Sequence, residues 1–332
     1  MFPFPASPFR SARLPRRRQP AILNRSAPIT DMPSECSWAQ TKLRPCRPLS
    51  KVSLPAVRRA AELPAKNAVV VYAIVDMTTQ PQVLIYRDGQ EWIHEACDLL
   101  RRTSEEAIHS HGRVLIALSG GSTPQTLYQA LTSAEWKQRF DWDRMVFLFG
   151  DERCVPPDHP ESNYGTAQAA LFRPLGIKPD HIHRMKGETG EPAAAALDYE
   201  QTIRQLTDCS APAIPRLDIV LLGLGDDGHT ASLFPETTAL SDRAHLVAVG
   251  QAPRGISSRL TLTLGVINRA TVVLFLVAGA GKASIVRAVL EPHNQTERGL
   301  PAAMVQPEPG RLIWLLDQSA GAALATGQTG KK

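Results

Sequence analysis

The sequence has few cysteines and lacks a long apolar run. Its 332 residues contain five cysteines, with no C-x-x-C pair and no histidine at zinc-ligand spacing. A disulfide framework or a structural metal is therefore not expected, and reducing cytoplasm is the default compartment. The longest apolar runs, 219–222 and 271–279, fall short of the roughly 18 residues that a spanning helix needs, so no membrane partner is expected.

Positive charge is concentrated at the N-terminal end of the chain. Residues 1–66 hold 13 Lys and Arg against 3 Asp and Glu, whereas the remaining residues hold 24 against 29. The net charge of +5 therefore belongs to the N-terminal part, and the rest of the chain is mildly acidic. Because a nucleic-acid partner requires basic residues gathered on folded structure, no nucleic-acid binding is predicted.

The first 76 residues are predicted to form a disordered basic extension. They are rich in Pro, Arg and Ser, and their apolar residues follow neither a helical nor a strand period. Such a segment buries too little surface to offset the entropy lost on ordering. Three interpretations stay open: a transit peptide, which would direct the protein to a plastid, a mispredicted start upstream of Met77, and a functional basic arm.

Beyond residue 76 the pattern indicates an α/β domain over residues 77–320, followed by a flexible tail over 321–332. Apolar runs alternate with helix-like segments, which is typical of βαβ units around a mostly parallel sheet. Ligands of such sheets bind beyond the carboxyl ends of the strands, so the loops there should hold the chemistry. Strands are predicted at 83–86, 113–117, 145–149, 217–222, 245–249, 259–264, 271–277 and 311–315, and helices at 88–110, 123–131 and 282–290.

The string LSGGSTP (118–124) lies between a predicted strand and a helix that begins with a Thr and a Pro. Paired glycines let the backbone approach a ligand closely, and exposed N–H groups at a helix start favour an anion. The alternative interpretation is a tight turn with an ordinary Ser/Thr cap. The candidate phosphate ligands of this string are Ser119, Gly120, Gly121, Ser122 and Thr123.

A second polar string, GDERCVP (150–156), follows the next predicted strand. If the strand continues, Asp151 and Glu152 point to opposite sides, so one of them should face the crevice. Arg153 could clamp an anion or stabilise a developing oxyanion. The alternative is a salt-bridge cluster that closes a surface loop. The string ESNYG (161–165), which comes next, favours a helix-start turn.

The third string, GLGDDGHTASLFP (223–235), follows the most apolar strand. Its three glycines predict a turn that brings Asp226, Asp227 and His229 close together. An Asp beside a His fixes the imidazole tautomer and raises its basicity, which makes the His a general base for water. A metal site is the weaker interpretation, because no second His or Cys lies suitably near.

Two cations complete the set of candidates. Arg259 begins one predicted strand, and Lys282 follows the glycine-rich turn after another. Each could be a solvated surface charge, which is the usual fate of Lys and Arg. At strand ends near an anion-binding turn, they would instead neutralise a captured phosphate. Lys282 also stands at a helix start, where the helix dipole disfavours a cation unless an anion is near.

Together these strings resemble the 6-phosphogluconolactonase family. The resemblance rests on ALSGGSTP, FGDERCVP with ESNYG, LDIVLLGLGDDGHTASLFP, RLTLTLGVINRA and FLVAGAGKA, and it covers residues 83–316. It implies a Rossmann-like α/β fold, with helices on both faces of a mostly parallel sheet, shared with glucosamine-6-phosphate deaminases. It also implies that no cofactor is used and that 6-phospho-D-glucono-1,5-lactone is hydrolysed to 6-phosphogluconate in the oxidative pentose phosphate pathway.

The resemblance also implies residue roles. The turn from Ser119 to Thr123, with Arg259 and Lys282, would hold the phosphate. Asp151 and Arg153 would line the lactone site. His229 would activate water, with Asp227 in support.

Two other functions stay open. Glucosamine-6-phosphate isomerase/deaminases resemble the third string but carry an acidic residue five positions after the His, where this chain has Phe234. A sugar-phosphate sensing domain of a transcription regulator would need a DNA-binding module, and residues 1–66 show no helix-turn-helix pattern. The partner expected on either enzyme interpretation is a small-molecule substrate, bound by a monomer or a weak homo-oligomer.

Overall fold

A computed structural model describes residues 70–72, 81–87 and 89–325, all of which belong to one compact unit of the chain. Within these residues, the strands form one seven-stranded sheet and one three-stranded sheet. The strands are β1 (Val70–Tyr72), β2 (Gln82–Tyr86), β3 (Val114–Leu118), β4 (Met145–Phe149), β5 (Asp151–Arg153), β6 (Ile219–Leu222), β7 (Val247–Gln251), β8 (Ser258–Leu262), β9 (Val272–Val277) and β10 (Arg311–Asp317).

Helices connect most of these strands. A π-helical turn, Gln168–Phe172, joins α3 to α4, and short 3₁₀ turns occupy Trp142–Arg144, Pro179–His181, Gly187–Thr189, Ala280–Lys282 and Pro301–Met304. None of the described helices is both long enough and apolar enough to cross a bilayer. The α-helices are α1 (Gly89–His111), α2 (Ser122–Leu131), α3 (Asn163–Ala167), α4 (Arg173–Leu175), α5 (Pro192–Thr207), α6 (Thr238–Ser241), α7 (Leu264–Ile267), α8 (Ala283–Leu290) and α9 (Gln295–Arg298).

The large sheet has the order β1-β2-β10-β9-β6-β3-β4, and only β1 runs antiparallel to its neighbour. Strands β3, β4, β6 and β9 are buried at every residue, as expected for parallel strands covered on both faces. The chain leaves β3 towards β4 and leaves β6 in the opposite direction, towards β9. The sheet therefore has a topological switch point between β3 and β6, where ligands bind in such folds.

Each face of the large sheet has its own hydrophobic core. On one face, α1, α2 and the turn after α3 contribute Trp92, Leu127 and Phe172. On the other face, α5 and α8 pack with the small sheet, and the rings of Phe275 and Trp314 stack at 3.9 Å. The layers are therefore helix, sheet and helix, as the sequence predicts.

The small sheet, in the order β5-β8-β7, is antiparallel and begins directly after β4. Only Gly150 separates the two strands, and its N–H donates to the Leu118 carbonyl at the end of β3, at 2.8 Å. In the pairing of β5 with β8, Arg153 lies opposite Arg259. The small sheet thus projects from the carboxyl edge of the large one and carries Asp151 and Arg153 with it.

Several elements differ from the sequence predictions. Strand β1 lies inside the predicted disordered extension, yet it pairs with β2; the rest of the extension, apart from these three residues, lies outside the described residues. Residues 321–325 of the predicted tail form a turn, in which Leu324 packs on the core. Strand β5 and helix α5 were not predicted. The predicted tail beyond residue 325 stays a prediction.

Candidate active site

The loops that follow β3, β4, β6 and β9 meet in a cavity at the switch point. Its volume is about 270 Å³. The cavity brings together side chains from strings that are far apart in the sequence. The candidate site residues that line it are Ser119, Gly120, Gly121, Ser122, Thr123, Asp151, Arg153, His229 and Lys282.

The turn after β3 presents the beginning of α2 to the cavity. Gly121 has a φ of 99°, a conformation that favours glycine, and no side chain caps the helix that follows. The first N–H groups of this ten-residue helix are therefore open to an anion. The buried hydroxyl of Tyr128 fixes the turn, because it donates to the Ser119 carbonyl at 2.6 Å and accepts from the Ser119 N–H at 3.2 Å.

Gly120 permits a close approach between this turn and α3. A Cβ at residue 120 would lie 1.8 Å from the Oδ1 of Asn163. The Nδ2 of Asn163 donates to the Asp151 carboxylate at 3.1 Å and to the Asp151 carbonyl at 2.9 Å. Residues 161–165 form the predicted helix start, with Ser162 as the N-cap. However, Asn163 also lines the cavity, and the sequence did not predict that position for it.

Asp151 places a buried carboxylate at the cavity. It is 6% exposed, and its Oδ2 accepts a hydrogen bond from the hydroxyl of Ser232 at 2.6 Å. Its Oδ1 accepts from Asn163, so each oxygen is held by one neutral donor. The remaining lone pairs of the carboxylate are available to substrate hydroxyls. Ser232 belongs to the third string, but no role was predicted for it.

The adjacent carboxylate, Glu152, faces away from the cavity. It accepts hydrogen bonds from the backbone N–H groups of Arg153, Asn163 and Tyr164, each at 2.8 Å, and from the Ser162 hydroxyl at 3.0 Å. Burial raises the pKa of Glu152, although these backbone hydrogen bonds oppose the rise. Glu152 therefore anchors the beginning of α3, and of the two adjacent carboxylates only Asp151 reaches the crevice.

Arg153 and Arg259 place two guanidinium groups side by side. Arg153 donates to the Glu161 carbonyl at 2.5 Å, but its buried Nε has no hydrogen-bond partner. Arg259 is 7% exposed and donates through Nε to the Ile256 carbonyl at 2.7 Å. Burial, and then the charge of Arg153, lower the pKa of Arg259. Arg259 is not among the described residues that line the cavity, so it adds positive charge from behind Arg153.

The loop after β6 holds an imidazole against a carboxylate. The Nδ1 of His229 lies 2.5 Å from the Oδ1 of Asp227, which also accepts the His229 backbone N–H at 3.1 Å. The ring lies over the backbone of Gly225, where a Cβ would come within 2.0 Å of Nδ1, and the Phe234 ring is 4.4 Å away. Because Asp227 occupies Nδ1, Nε2 is the nitrogen left to exchange a proton.

Asp227 is suited to hold a positive charge on that ring. Partial burial pushes the pKa of Asp227 up, but the hydrogen bonds and the charge of His229 outweigh burial and bring the pKa below its ordinary value. The carboxylate therefore stays ionised beside the imidazole. Among the described residues, no group of three or more His, Cys, Asp and Glu side chains is arranged to hold a metal ion.

Lys282 lines the cavity from the turn after β9. Its ammonium donates to the Leu224 carbonyl at 2.7 Å and to the Asp226 carboxylate at 2.6 Å. Asp226 therefore turns to Lys282, whereas Asp227 turns to His229. The predicted grouping of both aspartates around the histidine is therefore only half right, because Asp227 contacts His229 but Asp226 contacts Lys282.

Comparisons with known proteins agree with this architecture. The model of the family described as glucosamine-6-phosphate isomerases/6-phosphogluconolactonase matches residues 87–314. A Nostoc sp. protein named 6-phosphogluconolactonase is 40% identical over 243 residues, which cover 73% of this chain and 98% of the relative. The solved structure of 6-phosphogluconolactonase from Trypanosoma cruzi aligns with a TM-score of 0.66 at 30% identity, over 75% of this chain and 98% of that chain.

A more distant solved structure bears on the fold alone. A monomeric glucosamine-6-phosphate deaminase aligns with a TM-score of 0.58 at 22% identity, over 73% of this chain and 99% of its own. The predicted fold class, an α/β fold of the glucosamine-6-phosphate deaminase type, is thereby confirmed.

Proposed function

The chain belongs to the glucosamine-6-phosphate isomerase/6-phosphogluconolactonase family, and we propose that it hydrolyses 6-phospho-D-glucono-1,5-lactone to 6-phosphogluconate in the pentose phosphate pathway. The names of the relatives support this substrate. The observation that carries the proposal is that His229, whose Nδ1 is held by Asp227, lines the same cavity as the Gly120–Gly121 turn. One end of the cavity is suited to an anion, and the other is suited to a proton transfer.

The phosphate of the substrate binds at the turn after β3. The open N-terminus of α2 and the hydroxyls of Ser122 and Thr123 supply hydrogen-bond donors, and Lys282 supplies a positive charge from across the cavity. Arg259 does not line the cavity, but it lies opposite Arg153 in the β5–β8 pairing and adds positive charge there. These groups hold the lactone with its ring directed towards the β6 loop.

His229 acts as the general base on water. Neutral Nε2 takes a proton from the water as its oxygen attacks the lactone carbonyl, and Asp227 stabilises the imidazolium that forms. The tetrahedral intermediate then expels the ring oxygen, which takes the proton from Nε2. The products are the open-chain acid and a restored neutral imidazole.

Arg153 and Asp151 act on the lactone itself. Arg153 lines the cavity beside Asp151, and this position supports a role as donor to the oxyanion of the intermediate. The Asp151 carboxylate, held by Ser232 and Asn163, accepts hydrogen bonds from ring hydroxyls. A positioned base contributes roughly 10²–10⁴-fold and an oxyanion donor about 10²–10³-fold, so no covalent nucleophile is required.

The residue five positions after the histidine favours lactone hydrolysis over deamination of glucosamine 6-phosphate. Phe234 is 6% exposed, and its ring lies 4.4 Å from the imidazole of His229. An apolar ring at this position cannot exchange a proton with the substrate. The pairing of this histidine with an acidic residue five positions later, which the deaminases carry, is therefore replaced by an apolar contact with Phe234.

The experiment that tests the proposal follows acid release from freshly generated 6-phosphogluconolactone by the purified full chain. We expect turnover well above spontaneous hydrolysis, both with and without EDTA, and no ammonia from glucosamine 6-phosphate. Unphosphorylated gluconolactone should be a poor substrate with a raised KM, because the anion-binding end is then unused. Hydrolysis no faster than the uncatalysed reaction, or release of ammonia, would contradict the proposal.

A further inference from the structure

Lys282 already has an anionic partner within the protein. Its ammonium donates to the Asp226 carboxylate at 2.6 Å and to the Leu224 carbonyl at 2.7 Å. A lysine ammonium has three donors, and these two contacts use two of them. A phosphate that binds to Lys282 therefore meets an ammonium whose charge is already balanced by a neighbouring carboxylate.

The two partners of Lys282 differ in how easily they can leave. Leu224 contributes a backbone carbonyl from the loop after β6, next to Gly225, whose N–H donates to the His229 carbonyl at 2.9 Å. The Asp226 side chain, in contrast, is 85% exposed, whereas that of Lys282 is 29% exposed. An exposed ion pair is weak, because water solvates a released carboxylate well. Asp226 is thus the removable partner, and Leu224 keeps the ammonium in place.

We propose that Asp226 is a resident counter-anion of Lys282 that the phosphate of substrate and product displaces. This inference rests on the proposed function, since it assigns the phosphate to Lys282. A phosphate dianion beside the Lys282–Asp226 pair meets like-charge repulsion until the aspartate turns into solvent. Asp226 therefore weakens phosphate binding, and the same carboxylate helps to release the phosphorylated product by returning to Lys282.

The proposal predicts that removing a carboxylate at this site tightens binding of an anion. In Asp226→Asn, we expect the KM for 6-phosphogluconolactone and the Kd for 6-phosphogluconate to fall by about two- to fivefold, the range for an exposed ion pair. Values for unphosphorylated gluconolactone should not change. The gain should shrink as salt is added, because screening weakens both the pair and the repulsion.

Two controls separate competition at Lys282 from a general change of charge. Asp158→Asn removes the same charge from another exposed loop and should leave both constants unchanged. In a Lys282→Ala background, Asp226→Asn should have no further effect on the Kd for 6-phosphogluconate. Calorimetric titration with 6-phosphogluconate and with inorganic phosphate reads binding without turnover. Failure of the proposed lactonase activity is therefore distinguishable from failure of this inference.

The direction in which Asp226→Asn changes the Kd for 6-phosphogluconate decides whether Asp226 competes with the phosphate. If Asp226→Asn weakens product binding, Asp226 orients Lys282 instead of competing for it, and the proposal is wrong. An unchanged Kd also overturns it. Equal tightening in Asp158→Asn, or tightening that persists without Lys282, would show a nonspecific field effect and overturn it as well.

Discussion

Two histidine–aspartate pairs lie at opposite ends of the same strands. His229 and Asp227 stand in the loop that follows β6, with Nδ1 and Oδ1 2.5 Å apart. His111 ends α1, and its Nε2 lies 3.0 Å from Asp218, the residue just before β6. The second pair lines the larger cavity, about 690 Å³ against about 270 Å³. Neither the pair nor the size of its cavity therefore identifies an active site.

The surroundings of the two pairs differ in what they leave unsatisfied. The second oxygen of Asp218 accepts the Leu115 N–H at 2.8 Å, so this carboxylate joins the beginnings of β3 and β6. The arginines of the larger cavity, Arg113 and Arg216, donate to backbone carbonyls of Leu206 and Pro309.

The cavity at the carboxyl edge has unsatisfied donors instead. It collects the uncapped start of α2, and the side chain of Arg153 lines its wall. The open N–H groups at the start of α2, and not the histidine–aspartate pair, distinguish the candidate active site from the larger cavity.

The largest expected effect comes from exchanging the two histidines for alanine one at a time. His229→Ala should lower kcat for 6-phosphogluconolactone by at least about 10²-fold, because the general base is lost. His111→Ala removes the corresponding ring at the other edge and should change kcat by less than about twofold, since surface changes away from the chemistry have small effects. Steady-state kinetics on both variants provide the measurement. Comparable losses of kcat in the two variants would remove the distinction between the pairs.

Alanine substitutions at Gly120 and at Gly281 compare a crowded glycine of the site with an uncrowded one. Gly120→Ala places a Cβ 1.8 Å from Asn163 Oδ1, so Asn163 must move away from Asp151. Loss of a hydrogen bond to a charged group costs about 1.5–3 kcal/mol, and kcat/KM should fall by roughly 10- to 100-fold. Gly281→Ala, in the turn before α8, meets no atom within 4 Å and is the matched control. A Gly281 variant as impaired as the Gly120 variant would contradict the argument from close approach.

Local patterns account for what the sequence predicted well. Strand β4 has the predicted bounds, 145–149, because it is a continuous apolar run between turns. The contact of His229 with Asp227 spans two residues and follows from the glycine-rich loop itself. The helix start at Asn163 was likewise predicted from neighbouring polar residues.

Long-range pairings account for what the sequence did not show. The Ser232–Asp151 hydrogen bond joins residues 81 positions apart. The juxtaposition of Arg153 with Arg259 depends on the register between β5 and β8, which no local pattern encodes. Helix α5 is a different case, because its signal was local. Pro192 stands at its start, and the buried residues Ala195, Tyr199 and Ile203 follow at helical spacing.

A substitution of Asp218 tests whether the His111–Asp218 pair has a structural role. Asp218→Ala leaves the buried Leu115 N–H without an acceptor. The free energy of unfolding should therefore fall by about 1–3 kcal/mol, with kcat unchanged in the folded protein. Urea denaturation measures the loss, and Asp158→Ala in an exposed loop is the control. A fall in kcat without a loss of stability would instead give the larger cavity a part in the reaction.

The smallest expected effect concerns acid stability at the carboxyl edge. The pKa of Asp227 lies below its ordinary value because the hydrogen bonds and the charge of His229 outweigh partial burial. A lowered folded-state pKa contributes stability above the unfolded value near 3.9, and that contribution is lost as pH falls through the folded pKa. The side chain is 43% exposed, so the contribution should stay below about 1 kcal/mol.

Asp227→Asn should accordingly narrow the difference in urea midpoint between about pH 6 and about pH 3. Asp242 provides the matched control. As at Asp227, burial raises its pKa, but hydrogen bonds from His245 and the backbone outweigh burial and bring the pKa below its ordinary value. Asp242→Asn should narrow the same difference in urea midpoint to a similar small extent but leave kcat unchanged. Asp227→Asn should lower kcat. If both variants lost activity equally, the carboxylate beside His229 would have no special part in catalysis, and only its electrostatic contribution to folding would stand.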